Sequence, residues 1–306
     1  MPSNNLWVEK YRPSDLNDVI IPDRYKNLFT NILEKEDLIN FCFHGLPGTG
    51  KTTIARILCK TLDLDFKIIN ASDDRGIDVI RTTVNNYAKS MSMNGKKRVI
   101  IMDEAEKLTV DAQCAFKKPI EDYSKNCRFI FITNDLSKIN EALVSRLELV
   151  NFTYTEKDKK EIRGILAKRI FNILESENIK FSMNKKLAGF ITHCLPDIRG
   201  LLKSLQRIAI ENNYEIPVDY DFPVVNIDVD SFKKVISGPY KNLAEFVNKM
   251  DPGIIFKFVG DNVEELNKDK IFEIFNCMSI FEAKAKSCFV RNNIMICFLM
   301  NLNRVI

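Results

Sequence analysis

The chain has 306 residues, of which 45% are hydrophobic and 28% are charged, and its formal net charge is +4. This composition is ordinary for a globular protein and excludes disorder as a description of the whole chain. At roughly 150 residues per domain, the length suggests two domains or three small ones. The mild positive charge permits a nucleic-acid partner without requiring one.

The sequence carries no pattern typical of export, a membrane span or a zinc site. Residues 1–11 lack the apolar core of a secretory signal, and the apolar run 294–300 is about a third of a membrane span. The 8 cysteines include no C-x-x-C pair, which favours buried free thiols of a reducing compartment. With only His44 and His193 available, histidine-based metal or triad chemistry is not expected. We therefore expect a soluble intracellular protein with no membrane partner.

Apolar runs rich in β-branched or aromatic residues alternate with helical patterns between residues 39 and 153. This alternation predicts an α/β domain built on a five-stranded parallel sheet with helices on both faces. Because the runs are almost continuously apolar, the strands are expected to be buried on both sides. The predicted strands are 39–44, 66–70, 98–102, 128–133 and 147–152.

The pattern changes after residue 153. Apolar residues recur at helical spacing from 156 to about 212, with Asp197 predicted as a helix N-cap after Pro196. A Pro- and Asp-containing connector follows at 214–230, and the rest is helical with breaks at 238–239 and 252–253. The sequence therefore predicts three domains, 1–153, 154–213 and 231–306.

The strongest motif is GLPGTGKT at residues 45–52, which matches G-x-x-x-x-G-K-[ST]. A strand precedes it and an apolar-periodic helix follows, which is the context that a phosphate-binding loop requires. Backbone N–H groups and the helix N-terminus would surround the phosphates of ATP. Lys51 would contact the β- and γ-phosphates, and Thr52 would ligate Mg²⁺. The predicted phosphate contacts are Gly45, Pro47, Gly48, Thr49, Gly50, Lys51, Thr52 and Thr53.

Polar side chains end two further apolar strands. Asp103 and Glu104 follow the strand 98–102, where Asp103 would orient Mg²⁺ and Glu104 would act as general base for the attacking water. Asn134 follows the strand 128–133 and would help to hold that water if its strand lies between the other two. Taken alone, Asn134 is equally well explained as a turn residue.

Two arginines are further candidates. Arg146 precedes the fifth predicted strand. Arg199 lies in the first turn of a predicted helix, where the helix dipole disfavours a cation unless a phosphate is nearby. Without further context, each arginine is better explained as a surface residue than as a catalytic one.

Together these motifs resemble the AAA+ ATPases, and in particular clamp-loader subunits of the replication factor C type. The resemblance rests on WVEKYRP at 7–13, on NASDDRGID at 70–78, and on DEAE at 103–106 with AQ at 112–113 and EDYS at 121–124. It is continuous from about 6 to 210 and weaker beyond. The short chain and the PDIR sequence at 196–199 look most like the large subunit of tailed-phage clamp loaders. A cellular or giant-virus small subunit stays open.

The resemblance implies roles for these positions. Asn134 corresponds to sensor 1, and Arg199 corresponds to sensor 2. Arg146 corresponds to the arginine finger, which reaches the γ-phosphate held by a neighbouring subunit. The segments implied to enclose the adenine contain Val8, Glu9, Lys10, Tyr11, Arg12, Pro13, Val19 and Ile20.

The resemblance also implies macromolecular contacts. Arg75, Gly76, Ile77 and Arg81 would contact the backbone of primer–template DNA without reading its sequence. A solvated charged helix start is the alternative for this segment. Met91 and Met93 would face the sliding clamp, and ordinary core packing explains them almost as well.

The implied protein is an ATPase subunit of a sliding-clamp loader in DNA replication. The segment 154–213 would be a helical lid and 231–306 a collar that holds a ring of five subunits. It would act in the host cytoplasm or nucleoid for a phage, or in the nucleus or a cytoplasmic replication site otherwise. Another AAA+ DNA motor or remodeller stays open, as does a structural ring subunit that binds ATP without turnover.

The sequence departs from the family pattern at two positions. Leu147 stands where the Ser-Arg-Cys motif of the family has its cysteine, which carries no chemistry. Pro119 lies inside the helix predicted to begin near Thr109, and it should kink or end that helix. In the family this helix relays DNA contact to the ATP site, with Gln113, Lys117 and Lys118 facing inward. The absence of a zinc module from the first domain argues against the bacterial type of subunit.

Overall fold

The computed structural model describes residues 6–73, 75–90, 92, 95–220, 222, 229–249, 252–287 and 291–306. The chain divides into two compact units, Met1–Tyr220 and Asp221–Ile306. The first unit contains the predicted sheet together with the helices of 154–213. The second contains the predicted helical region 231–306.

A five-stranded parallel sheet forms the centre of the first unit, as predicted. The strand order is β2-β3-β4-β1-β5, so β4 lies between β1 and β3. The three central strands are buried on both faces, whereas the edge strands β2 and β5 are largely half-buried or exposed. The strands are β1 Phe41–His44, β2 Phe66–Asn70, β3 Arg98–Asp103, β4 Cys127–Thr133 and β5 Glu148–Asn151.

The observed strands differ from the predicted ones mainly at their ends. The first predicted strand began at Ile39, but the ladder to the neighbouring strands begins at Phe41, and Ile39 is exposed. The last one was predicted to run from Leu147 to Phe152, but only Glu148–Asn151 pairs with β1. Apolar composition therefore overestimates the strand length, because Ile39 before β1 and Phe152 after β5 are apolar but lie outside the paired residues.

Helices cover both faces of the sheet. Successive side chains of each strand point to opposite sides, so a continuously apolar strand presents apolar side chains on both faces. On one face, Phe116 packs edge-on against Phe131 with ring centroids 4.9 Å apart. On the other face, Phe29 packs against Phe43 with centroids 5.7 Å apart. The helices of the sheet region are α1 Trp7–Lys10, α2 Asp23–Lys35, α3 Lys51–Thr61, α4 Ile77–Val79, α5 Asn85–Lys89, α6 Val110–Ala115, α7 Lys117–Asp122 and α8 Glu141–Val144, with a π-helical turn at Ile80–Val84.

Pro119 interrupts the helix as the sequence predicts. The α-helical conformation ends at Ala115 and resumes at Lys117, so that two short helices replace one. Proline has no N–H to donate to the carbonyl four residues earlier, and its ring clashes with that carbonyl, which here belongs to Ala115. Within the new helix, Pro119 lies in the first turn, where a missing N–H costs little.

Three longer helices follow the sheet in the first unit, each with a side-chain cap. Thr155 and Asp158 form a reciprocal capping box at the start of the first, and Asn184 caps the second. Asp197 caps the third by accepting from the backbone N–H of Gly200 at 2.8 Å, as predicted. These helices are α9 Glu156–Ser176, α10 Lys185–His193 and α11 Ile198–Glu211.

The described part of the second unit is helical and has its own apolar core, which includes Phe232, Phe256 and Phe298. The predicted breaks are observed, since one helix begins at Tyr240 directly after Pro239 and the next begins at Pro252. No helix in the described ranges is long and apolar enough to cross a membrane. The helices are α12 Val229–Ile236, α13 Tyr240–Lys249, α14 Pro252–Asp261, α15 Val263–Asn267, α16 Ile271–Ser287 and α17 Arg291–Val305.

Phe131→Ala should lower the free energy of unfolding by about 3–5 kcal/mol, because it leaves a cavity beneath Phe116 in a fully buried strand. Leu149→Ala on the edge strand β5 is the matched control and should cost less than about 1 kcal/mol, since Leu149 is 41% exposed. Urea unfolding followed by circular dichroism measures both values. Equal losses for the two variants would contradict the assignment of β4 to the centre of the sheet.

Candidate nucleotide-binding site

The loop between β1 and α3 contains three positions whose backbone conformation favours glycine. Gly45, Gly48 and Gly50 all have positive φ angles, of 132°, 77° and 92°. A Cβ at Gly45 would lie 2.8 Å from the carbonyl carbon of Phe152, and one at Gly48 would lie 1.8 Å from Oδ1 of Asp197. The loop is therefore closely packed against the segment after β5 and against the start of α11.

Lys51 begins α3, and its side chain turns back over the loop. Its Nζ donates hydrogen bonds to the carbonyl oxygens of Gly45 at 2.8 Å and Leu46 at 2.7 Å, and to Oδ1 of Asn134 at 3.1 Å. The residue is only 5% exposed. Burial lowers the pKa of Lys51 to about 8, although the carboxylates of Asp103 and Glu106 act to raise it. The ammonium thus lies where anionic phosphate would stabilise its charge.

The ends of β3 and β4 place two polar side chains, Asp103 and Asn134, beside the loop. Thr52 Oγ1 donates to Oδ2 of Asp103 at 3.0 Å. Asn134 Nδ2 donates to Oε1 of Glu106 at 3.2 Å while its Oδ1 accepts from Lys51. Asn134 is expected to help hold the attacking water only if its strand lies between the other two. The sheet fulfils this condition, because β4 lies between β1 and β3.

Glu104 occupies an unusual backbone conformation next to Asp103. Its φ of 53° lies in the left-handed region, which a non-glycine residue rarely adopts. Its backbone N–H donates to Oδ1 of Asp103 at 3.0 Å, and its side-chain Oε2 accepts a hydrogen bond from Ser72 Oγ. The carboxylate is therefore oriented by both β3 and the segment after β2.

The oxygen atoms of Thr52 and Asp103 suit a magnesium ion. Mg²⁺ prefers hard oxygen ligands and is commonly held by one or two protein side chains, water and phosphate oxygens. A threonine hydroxyl and a carboxylate that already lie within 3.0 Å of each other form such a donor pair.

A cavity of about 450 Å³ opens over the loop and collects most of the predicted residues. Its volume falls in the range of small-molecule sites. Of the residues that the sequence predicts for nucleotide binding and hydrolysis, Glu9, Lys10, Gly45 and Arg146 do not line it. Those that do are Val8, Tyr11, Arg12, Pro13, Val19, Ile20, Pro47, Gly48, Thr49, Gly50, Lys51, Thr52, Thr53, Asp103, Glu104, Asn134 and Arg199.

Other lining residues had no motif to reveal them. Arg56 lies on α3 and Arg169 on α9, and both line the cavity together with Ile170, Ile173 and Leu202 from α9 and α11. The Nε of Arg56 is buried without a hydrogen-bond partner in the structure. In the sequence these residues look like ordinary amphipathic helix positions, and only the packing of α9 and α11 over the loop brings them to the cavity.

The two arginines singled out by the sequence lie in different places. Arg199 lines the cavity from the first turn of α11. Arg146 lies apart from it, after α8, where its guanidinium pairs with Glu121 at 2.6 Å and donates to the carbonyl of Ala142 at 2.8 Å. The side chain of Arg146 is 32% exposed and therefore accessible.

The residues predicted to contact DNA lie on the surface where they are described. Arg75 and Gly76 are exposed and Ile77, which begins α4, is half-buried. A Cβ at Gly76 would meet only a backbone nitrogen at 4.0 Å, so the backbone there is open. Arg81 lies in the π-helical turn, and its side chain is outside the described part of the structure, as are Met91 and Met93.

Comparison with known proteins identifies the family. Residues 41–154 match the model of the ATPase family associated with various cellular activities (AAA). Replication factor C subunit 4 of Encephalitozoon cuniculi is 33% identical over 234 residues, which are 76% of this chain and 72% of that protein. The chain belongs to the replication factor C family.

Further relatives come from an archaeon and from a phage. The replication factor C small subunit of Archaeoglobus fulgidus is 35% identical over 68% of this chain and 65% of its own length. The sliding-clamp-loader large subunit of Escherichia phage RB69 is 32% identical over 67% of this chain and 65% of its own length. The chain thus spans slightly less than two thirds of the length of both relatives.

Solved structures support the fold alone. The Holliday junction branch migration motor RuvB of Thermotoga maritima superposes with a TM-score of 0.52 at 19% identity, covering 74% of this chain and 78% of that one. At this identity the match shows that the two chains share a fold, and it carries no argument about activity.

Nucleotide binding should take up protons near pH 8. With a pKa of about 8, Lys51 is about half deprotonated at pH 8 in the free protein, and phosphate oxygens beside Nζ would raise that pKa. Roughly half a proton should therefore be taken up per ATP bound at pH 8, and the affinity should fall as the pH rises further. Isothermal titration calorimetry in two buffers of different ionisation enthalpy measures the uptake.

Lys51→Arg is the control for this titration, because a guanidinium stays charged throughout the range. Binding of ATP to Lys51→Arg should show no proton uptake at pH 8. Equal uptake by the variant and the wild-type protein would assign the titration to another group.

Proposed function

We propose that this chain is an ATP-hydrolysing subunit of a sliding-clamp loader, which opens the ring-shaped processivity clamp and loads it onto primer–template DNA during replication. Membership of the replication factor C family supports the role. The single observation that carries the mechanism is the cavity in which Lys51, Glu104 and Arg199 converge while Arg146 lies outside it.

The cavity binds ATP with Mg²⁺. The loop N–H groups and Lys51 hold the β- and γ-phosphates, since a buried ammonium with a lowered pKa gains most from an anionic partner. Thr52 and Asp103 hold the magnesium ion, which neutralises charge on the phosphates when bound. The adenine is enclosed by Val8, Tyr11, Arg12 and Pro13 together with Val19 and Ile20, whereas Glu9 and Lys10 do not line the cavity.

Hydrolysis uses the groups at the ends of β3 and β4. Glu104 acts as general base towards a water in line with the γ-phosphate, and Asn134 holds that water from the neighbouring strand. Arg199 contacts the subunit's own nucleotide from α11, where a phosphate offsets the unfavourable position of a cation at a helix N-terminus.

Arg146 acts on the nucleotide of a neighbouring subunit. It is accessible and belongs to the outer surface after α8 rather than to the cavity of its own chain, as a residue acting in trans requires. The segment 154–213 acts as the lid and 231–306 as the collar that holds a five-membered ring. ATP bound at each interface favours the closed ring of subunits. Hydrolysis of that ATP removes the preference for the closed ring.

DNA lies against the start of the α4 segment. The exposed Arg75 and the open backbone at Gly76 and Ile77, with Arg81, contact phosphates of one strand. Met91 and Met93 are the residues that we propose to bind the clamp. The protein acts inside the cell at the site of DNA replication.

ATP turnover should rise when the complete loader meets both partners. We expect at least a tenfold increase with primer–template DNA and clamp together, because DNA and clamp stabilise the closed arrangement that aligns Glu104. Steady-state phosphate release measures the rate. Lys51→Ala is the negative control and should lose ATP binding altogether. A rate that responds to neither DNA nor clamp would contradict the clamp-loader assignment and favour another AAA+ motor or a static ring subunit.

Arg146→Ala should leave ATP binding intact and reduce DNA-stimulated hydrolysis in the assembled complex by about 10³-fold or more, as loss of an arginine that stabilises a phosphoryl-transfer transition state does. Arg163→Ala, which removes an exposed arginine from α9, is the matched control and should not change the rate. Near-normal turnover by Arg146→Ala would rule out action in trans.

A further inference from the structure

The N-terminal segment that lines the cavity is attached to α9 and α11. The backbone N–H of Trp7 donates to Oε1 of Gln206 on α11 at 3.0 Å, and Trp7 is only 4% exposed. Four residues later, the hydroxyl of Tyr11 donates to Oε1 of Glu177 at 2.6 Å. The segment therefore has two hydrogen-bonded attachments to the helices that follow the sheet.

Glu177 is the acceptor for two neighbouring side chains at once. It lies at the C-terminal end of α9, and its side chain is 8% exposed. The same Oε1 that accepts from Tyr11 accepts from Lys10 Nζ at 2.7 Å. Burial acts to raise the pKa of Glu177, but the hydrogen bonds from Lys10 and Tyr11 outweigh it and lower the pKa. The charged carboxylate is thus the form that this arrangement stabilises.

These contacts explain why Lys10 does not line the cavity although the residues around it do. Lys10 turns towards Glu177, while Val8 and Tyr11 line the cavity together with Ile173 and Leu202 of α9 and α11. This wall is largely apolar and distinct from the loop around Lys51, which holds the phosphates. A flat aromatic base fits an apolar wall, whereas the phosphates need the polar loop.

We propose that Glu177 is a positioning residue for nucleotide-base recognition. It fixes Tyr11 and the segment 8–13 against α9, so that the base wall is formed before the nucleotide arrives and its ordering does not oppose binding. This inference rests on the proposed nucleotide site and deepens it. Because the phosphates are held elsewhere, Glu177 should affect the base half of the ligand and leave the phosphate half unchanged.

The test compares two ligands on the full-length chain by calorimetry. Glu177→Ala should weaken ATP binding by about tenfold, the effect of losing one charge-assisted hydrogen bond. Inorganic tripolyphosphate, which has no base, should bind the variant and the wild-type protein with affinities that agree within about twofold. A weaker affinity for both ligands in the same proportion would indicate general damage to the lid and overturn the proposal.

Two further variants keep the test decisive. Tyr11→Phe removes only the donor hydroxyl and should weaken ATP binding to a similar extent. Adding Glu177→Ala to it should cost little more, because the remaining partner of Glu177 is Lys10, which does not line the cavity. Glu175→Gln removes an exposed carboxylate two residues away and should bind ATP normally. Unchanged ATP affinity in both Glu177→Ala and Tyr11→Phe would overturn the inference alone, whereas a wild-type protein that does not bind ATP would overturn the proposed function itself.

Discussion

The nucleotide cavity depends on one constraint, the parallel order β3-β4-β1 at the centre of the sheet. The carboxyl ends of adjacent parallel strands meet at one edge, which is where open α/β sheets bind ligands. Two hydrogen bonds connect the start of α3 to the ends of these strands, from Lys51 to Asn134 at 3.1 Å and from Thr52 to Asp103 at 3.0 Å. A shift of one residue in the register would turn every buried side chain of a strand to the opposite face, so the apolar core and the polar site specify the same register.

The second half of the cavity comes from outside the sheet. Helices α9 and α11 contribute apolar side chains and Arg199, and the N-terminal segment is held against them through Glu177 and Gln206. The contact between Gly48 and Asp197 brings the start of α11 directly against the phosphate loop. A phosphate loop and a base wall on separate elements provide a physical basis for coupling the bound nucleotide to the position of these helices.

Basic side chains outnumber acidic ones in the lining of the cavity. Asp18, Asp103 and Glu104 are the acidic residues, and the basic ones are Arg12, Lys51, Arg56, Arg169 and Arg199. Local periodicity could not reveal Arg56 or Arg169, because each occupies an ordinary helix position with no neighbouring motif. Pro119 is the opposite case: its effect on the helix is local and covalent, so the sequence alone predicted the interruption that is observed.

The sequence by itself determined the sheet, the glycine loop, the polar ends of the strands and the capping by Asp197, because each depends on residues close together in the chain. The tertiary structure alone decided the order of the strands, the turn of Lys10 away from the cavity, and the pairing of Tyr11 with Glu177 across 166 residues. These features result from packing between distant segments, for which one sequence carries no local signal. For Arg146, the family resemblance implied action on a neighbouring subunit, and the fold places its side chain beside Glu121 and outside its own cavity.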